Sequence, residues 1–227
     1  MSQLIRSIIA KAEEFGASLA GFTSIASLQD SPSHKIYGSI EWPEGAKSVL
    51  VLALVHESSD PHLDWWDDSQ GGTPGNRQLI SISKKLKKFL NKEFNIKAWP
   101  LPYHVEKGGI FLKDAAVLAG LGILGKNNLL ITREFGPRVR LRAILLDADV
   151  QPTGPIDFAP CESCRMLCRS ACPQNAFKSG SYSRMLCDRQ MKTDEANRVI
   201  IESPEDIDSP VVCVKYCRAC ELACPVE

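Results

Sequence analysis

The chain has 227 residues, of which 44% are hydrophobic and 24% charged, and its 27 Lys and Arg balance 27 Asp and Glu. An apolar fraction of this size can bury a globular core. A zero net charge argues against a nucleic-acid partner, which needs a basic surface, and no apolar run reaches the length of a membrane span.

In chain order, Leu4, Ile5, Ile8, Ile9, Ala12 and Phe15 recur at helical spacing, and Gly16 is a stop. Lys11, Glu13 and Glu14 stand where a signal peptide would keep an apolar stretch, and there is no twin-Arg pair. The expected location is therefore cytoplasmic. Ser48 to Val55 is apolar almost throughout and reads as a buried strand, followed by a polar loop from His56 to Gly75. Ile80 to Phe94 reads as an amphipathic helix with Ile82, Leu86, Phe89 and Leu90 inward. Its Lys84, Lys85, Lys87, Lys88 and Lys92 face outward. Ile96 to Trp99 reads as a strand stopped by prolines, and Phe111 to Leu118 as a helix. Leu129 to Thr132 and Val139 to Leu146 read as two strands joined by a turn at Gly136-Pro137. This mixture predicts a layered α/β domain over residues 1–155. The Pro- and Gly-rich segment from Gln151 to Pro160 marks the boundary with a second domain, 156–227.

All nine cysteines lie in that second domain. In a reducing compartment such clustering points to metal ligation rather than disulfides. The first group is Cys161-x2-Cys164-x3-Cys168-x3-Cys172-Pro173 and the second is Cys213-x3-Cys217-x2-Cys220-x3-Cys224-Pro225. The run C-x2-C-x2-C-x3-C-P holds [4Fe–4S] clusters, with its fourth cysteine crossing to the other cluster. Three closely spaced thiolates wrap one cubane, and the x3 step with its proline carries the chain to the next. The first group has one residue too many between Cys164 and Cys168. The crossover rule gives one cluster on Cys161, Cys164, Cys168 and Cys224. It gives a second on Cys172, Cys217, Cys220 and either Cys187 or Cys213. Tetrahedral zinc would also use cysteine quartets, but two Cys-Pro endings after x3 steps are not a zinc signature.

Gly120, Gly122 and Gly125 fit G-x-G-x-x-G. A dinucleotide fingerprint needs a strand before and a helix after, and here the order is reversed. With Lys126, Asn127 and Asn128 the glycines read either as the rim of a cofactor site or as a helix-to-strand turn. His62, in Asp60-Pro-His62-Leu-Asp-Trp65, nearly matches a cobalt-ligating D-x-H-x-x-G pattern but lacks its glycine.

The segment from Lys113 to Asn127, the LLITREFGP that follows, the strand around Ala46 to Leu54, the lone Cys187 and the final C-x2-C-x3-C-P group resemble epoxyqueuosine reductases, relatives of reductive dehalogenases. The resemblance implies an α+β chain, with a nitroreductase-like α/β domain holding base-off cobalamin and a two-cluster ferredoxin-like domain behind it. It makes Cys187 the fourth ligand of the second cluster. It implies an oxidoreductase in which a ferredoxin or flavodoxin supplies low-potential electrons that pass through two [4Fe–4S] clusters to a corrinoid. It also places Gly120, Gly122, Gly125, Lys126 and Asn127 beside the cofactor. Two departures stand out. The family continues into helices that contact tRNA, whereas this sequence stops at Glu227, so nucleic acid is not an expected partner. Where the family carries an acidic proton donor, this chain has Tyr103-His-Val-Glu106, making Glu106 or Tyr103 the candidate acid. Alternatives are an electron carrier that reduces a corrinoid protein, docked by the lysine face, and a flavin reductase holding FMN.

Overall fold

The computed structural model describes residues 2–38, 40–67, 72–201 and 211–226. Helix α1 (Gln3–Glu14) is capped by Ser2, whose hydroxyl accepts from the Ile5 amide. Strand β1 (Leu19–Ser24) leads into the short helices α2 (Ile25–Gln29) and α3 (Pro32–Tyr37), and β2 spans Ser48–Val55. The stretch read as a loop from His56 to Gly75 holds a 3-10 turn, Pro61–Asp64, and a two-residue strand β3, Trp66–Asp67. Residues 68–71 of that reading lie outside the described residues.

Helix α4 (Pro74–Phe94) begins six positions before the expected Ile80. Thr73 accepts from the Asn76 amide and Pro74 supplies a preset first turn, so the start follows cap chemistry rather than apolar periodicity. Strand β4 (Ala98–Pro100), helix α5 (Leu112–Leu118), strands β5 (Ile123–Leu124) and β6 (Leu130–Ile131), and strand β7 (Val139–Leu146) complete this part. The strand expected over 129–132 does not pair with β7. It forms a small hairpin with β5, Ile123 opposite Ile131. Only an isolated bridge, Thr132 to Gly136, spans the turn before β7.

The main sheet has the order β1-β2-β7-β4 and is antiparallel throughout. Both faces are covered. Helices α1 and α4 bring Ile5, Ile8, Leu79, Ile82, Leu86 and Leu90 onto Leu50, Leu52, Leu54, Ile144 and Leu146. Helices α2 and α5 bring Ile25, Leu28, Leu112, Ala115 and Ala116 onto Val49, Val51, Ala53, Leu141, Ala143 and Leu145. Being buried on both sides is why β2 reads as a continuous apolar run instead of alternating with polar residues. β7 departs from this at one corner. Its Arg140 and Arg142 pair in register with Leu54 and Leu52, so two cations stand on the α1/α4 face toward the end of β2, just before His56.

The last third carries α6 (Leu167–Ser170), α7 (Arg184–Ala196), β8 (Val199–Ile201), β9 (Val211–Val214) and α8 (Ala219–Leu222). One strand pairing cuts across the expected boundary. The second sheet has the order β3-β9-β8, with Trp66 opposite Val214 and Asp67 opposite Cys213. Within the Gln151–Pro160 stretch read as marking the boundary, Thr153 is pinned to β1. The Thr153 hydroxyl accepts from the Phe22 amide at 2.8 Å and donates to the Ala119 carbonyl at 2.6 Å. No described helix is long and apolar enough to cross a membrane.

Candidate metal centre

Beyond residue 155 the buried hydrophobic residues among those described are Cys168, Ala176, Phe177, Cys213 and Val214, and α7 buries none of its side chains fully. A segment with so few apolar anchors cannot offset its chain entropy by burial alone, and small folds of this kind are held by staples such as disulfides or metals. All nine cysteines are free thiols.

The thiols fall into two neighbourhoods and one outlier. Cys168 feels the charges of Cys224, Cys164 and Cys161, and Cys224 in turn feels Cys161 and Cys164. Cys220 feels Cys217, Cys187 and Cys172, and Cys217 feels Cys172 and Cys187. Cys213 has no thiol partner among its neighbours. It is buried in β9, where Asp67, Arg77 and Lys215 surround it. Burial first, then mutual repulsion, pushes Cys168, Cys217 and Cys224 up, and Cys220 to about 12. Such thiols lose their protons only against a cationic partner. Among the described residues no three His, Cys, Asp or Glu side chains converge tightly enough to hold one metal ion. Sulfurs on a tetrahedral zinc sit about 3.8 Å apart, from a Zn–S bond of about 2.3 Å.

Backbone amides already face several sulfurs. The Met166 amide donates to Cys164 Sγ and the Ala176 amide to Cys172 Sγ, each at 3.3 Å. The amides of Arg169, Ala219 and Val226 hydrogen-bond to Cys168, Cys217 and Cys224. The Tyr182 hydroxyl donates to Cys187, and its own pKa is raised, by burial first and then by this thiol.

The glycine loop lies against this centre, and its open faces are filled by the chain itself. A Cβ on Gly120, whose φ is +76°, would meet the Thr153 carbonyl at 2.9 Å. One on Gly122 would meet the Ile131 carbonyl at 2.2 Å, and one on Gly125 the Ile131 side chain at 2.6 Å. The small side chains serve chain-on-chain approach. Lys126 Nζ donates to the Cys161 carbonyl at 2.9 Å, and buried Asn127 reaches the Cys220 carbonyl at 3.4 Å, so one loop touches both cysteine neighbourhoods. A cavity of about 260 Å³ lies behind Gly120 and Leu121, lined also by Arg133, Glu134 and Thr153. That is below the roughly 300–1,000 Å³ of ordinary ligand pockets, so it does not fit a corrinoid.

The two candidate acids separate. Glu106 is exposed and lies 3.5 Å from His104, turned to solvent. Tyr103 is half-exposed and lies within electrostatic reach of both Arg140 and Arg142. Arg142 is buried, with Asn76 Oδ1 at 2.6 Å and the Leu101 carbonyl at 3.3 Å as acceptors, and burial lowers its pKa. His62 is exposed beside Trp65, with a ring separation of 4.2 Å.

Sequence reasoning missed a buried ion network at the polar corner of the sheet. Asp64 Oδ1 accepts from His56 Nδ1 and lies 2.9 Å from Arg140 Nε, while its Oδ2 lies 2.5 Å from Arg218 Nη1. Glu221 pairs with Arg140 at 3.1 Å and Arg218 at 2.5 Å. Burial alone would raise the Asp64 carboxyl, but the His56 hydrogen bond and the Arg140 and Arg218 charges outweigh it and hold it below the usual range. The available signal was the pair of arginines inside an otherwise apolar strand, VRLRAILL.

No protein-family model matches the chain. The chain is 28% identical over 200 residues to an epoxyqueuosine reductase of Lactococcus garvieae (strain Lg2), covering 88% of this chain and 53% of that protein. It is 46% identical over 73 residues to a tetrachloroethene reductive dehalogenase of Dehalobacter restrictus, covering 31% of this chain and 13% of that one. Among solved structures, epoxyqueuosine reductase with an epoxyqueuosine-modified tRNA-Tyr stem loop superposes with a TM-score of 0.66 at 21% identity, over 99% of this chain and 65% of that one. A catabolic reductive dehalogenase in complex with 3-bromo-4-hydroxybenzoic acid gives 0.57 at 19% identity, over 75% and 25%. The chain thus spans about half the length of the curated epoxyqueuosine reductase. It is a relative of the epoxyqueuosine reductases and reductive dehalogenases, and it has the mixed α/β fold of the former.

Proposed function

We propose that the chain is an iron–sulfur oxidoreductase that passes low-potential electrons through two [4Fe–4S] clusters to a corrinoid acceptor. The observation that carries this reading is the separation of eight thiols into two quartets. Cys161, Cys164, Cys168 and Cys224 would hold one cluster, and Cys172, Cys187, Cys217 and Cys220 the other. The donor set fits: soft thiolates, each needing a cationic partner, in a segment with too little apolar core to stand unaided.

When bound, such clusters supply one-electron transfer, at potentials tuned by hydrogen bonds to sulfur and by solvent exposure. The chain's own residues fix those terms. Amides of Met166 and Ala176 and the Tyr182 hydroxyl donate to ligand sulfurs. Lys126 and Asn127 clamp the backbone of one cysteine in each quartet. Of the two candidate acids, Tyr103 lies within electrostatic reach of Arg140 and Arg142, whereas Glu106 pairs with His104 in solvent.

The corrinoid part of the reading rests on the relatives, one of which is described as supporting B12-dependent dehalogenation. The filled faces of Gly120, Gly122 and Gly125 favour a second version, in which the corrinoid is presented by a partner protein rather than seated on this loop. Anaerobic reconstitution followed by separate titrations with cob(II)alamin and FMN tests the assignment. About eight irons per chain and a base-off Co(II) signal at one equivalent support a resident corrinoid. Eight irons with neither ligand bound supports delivery to a partner. Tight FMN binding, or far fewer irons, refutes the corrinoid or the cluster reading respectively.

A further inference from the structure

Arg218 lies between Cys217 and Cys220 in sequence, yet its side chain leaves the cysteine segment and enters the polar corner of the main sheet. Its guanidinium lies 2.5 Å from Asp64 Oδ2, donates to Glu221 Oε1 at 2.5 Å, and donates to the His56 carbonyl at 3.2 Å. Asp64 and Glu221 are both buried, and Arg140 joins them at 2.9 and 3.1 Å. Two carboxylates thus face two guanidiniums, one formal charge against another. Arg218 follows Cys217 directly in the chain, and its guanidinium lies against two buried carboxylates, where charges act strongly because water is excluded.

We propose that Asp64 is a positioning residue that holds Arg218 and, by balancing its charge, sets the reduction potential of the cluster on Cys172, Cys187, Cys217 and Cys220; this rests on the two-cluster reading above. A cluster becomes more negative when reduced, so an uncompensated cation beside it favours reduction and an uncompensated anion opposes it. Asp64→Asn leaves Arg218 under-compensated and raises the potential. Arg218→Gln leaves the carboxylates in excess and lowers it. The double variant removes one charge of each sign and returns the potential toward wild type, a cancellation of opposite shifts that loss of packing alone does not produce. The other cluster, with three of its four thiols in the 161–168 segment, shifts less.

The experiment uses anaerobically reconstituted full-length protein, with iron content and EPR-monitored redox titration of wild type, D64N, R218Q and the double variant. The expected result is a shift of at least tenfold in the reduced-to-oxidised ratio, ~59 mV for one electron, of opposite sign in the two single variants and largely cancelled in the double. Glu221→Gln removes the other carboxylate from Arg218 and gives the same upward shift, so the test survives if D64N does not fold. Wild type without about eight irons and two cluster signals overturns the two-cluster reading itself. Wild type with them, and single variants that shift the same way or not at all, leaves that reading standing and overturns the role of Asp64.

Discussion

Cys187 and Cys213 give the sharpest separation of ligand from bystander. Cys187 lies among Cys172, Cys217 and Cys220, whereas Cys213 meets Asp67, Arg77 and Lys215 and no thiol. Cys187→Ala removes one of four donors, so iron falls from about eight to about four per chain as one cubane is lost. Cys213→Ala removes a sulfur that is 2% exposed in β9. That deletion is comparable to taking one methyl group from a core, about 1 kcal/mol. For a chain of this size it lowers Tm by about 2–4 °C and leaves about eight irons in place. Iron and sulfide analysis with visible spectra reads the first effect, and thermal melting of the reconstituted protein reads the second. A Cys213→Ala protein that loses four irons, or a Cys187→Ala protein that keeps eight, would refute the quartets.

Three further outcomes follow from named contacts. Gly122→Ala places a Cβ 2.2 Å from the Ile131 carbonyl. It forces the β5–β6 hairpin open, with a loss of roughly 2 kcal/mol or more seen in chemical denaturation, while Lys126→Ala costs well under that because its bond to the Cys161 carbonyl is exposed. Leu86→Ala, at a fully buried α4 position, costs about 2–5 kcal/mol in the same assay without altering the iron-to-protein ratio of folded material. For pH, the folded Asp64 carboxyl lies below its ordinary 3.8. Its stabilisation is complete above that value and is lost as pH falls through the folded value. Acid titration of stability should show the difference between wild type and Asp64→Asn shrinking below about pH 4; a difference that grows there would contradict the assigned charge.

The parts legible in the sequence were those whose cause is local. Ser48–Val55 emerged as a strand because burial on both faces leaves no polar position. The two cysteine groups were visible because their close spacing is a property of the chain itself. The early start of α4 was hidden because Thr73 and Pro74 follow a polar loop and carry no apolar period. The partner of the 130–131 strand was hidden because its hairpin is set by the turn from Gly125 to Asn128, not by the apolar pattern. The filled faces of Gly120 and Gly122 could not be read at all. Whether an open glycine face receives a ligand or another stretch of chain depends on Thr153 and Ile131, which only the fold brings there. The Asp64 network is the extreme case, joining residues 56, 64, 140, 218 and 221, each unremarkable alone.

These long-range links bear on why the cysteine segment and the sheet work as one body. An electron carrier needs its donor and acceptor held at a constant separation, and a poorly filled segment cannot supply that rigidity by itself. Here it is borrowed from the α/β core at four points. β9 pairs with β3, Lys126 and Asn127 hold the carbonyls of Cys161 and Cys220, Val226 packs against Gly136, and Arg218 is locked by Asp64. Three of these fix position without pairing opposite charges. The fourth is a buried charge pair, a poor choice for stability alone because desolvation offsets most of its attraction. If Cys217 holds a cluster as proposed, the pair's location one residue away gives it a use that an apolar contact there would lack, since only a charge can bias the electron's energy as well as the cysteine's place.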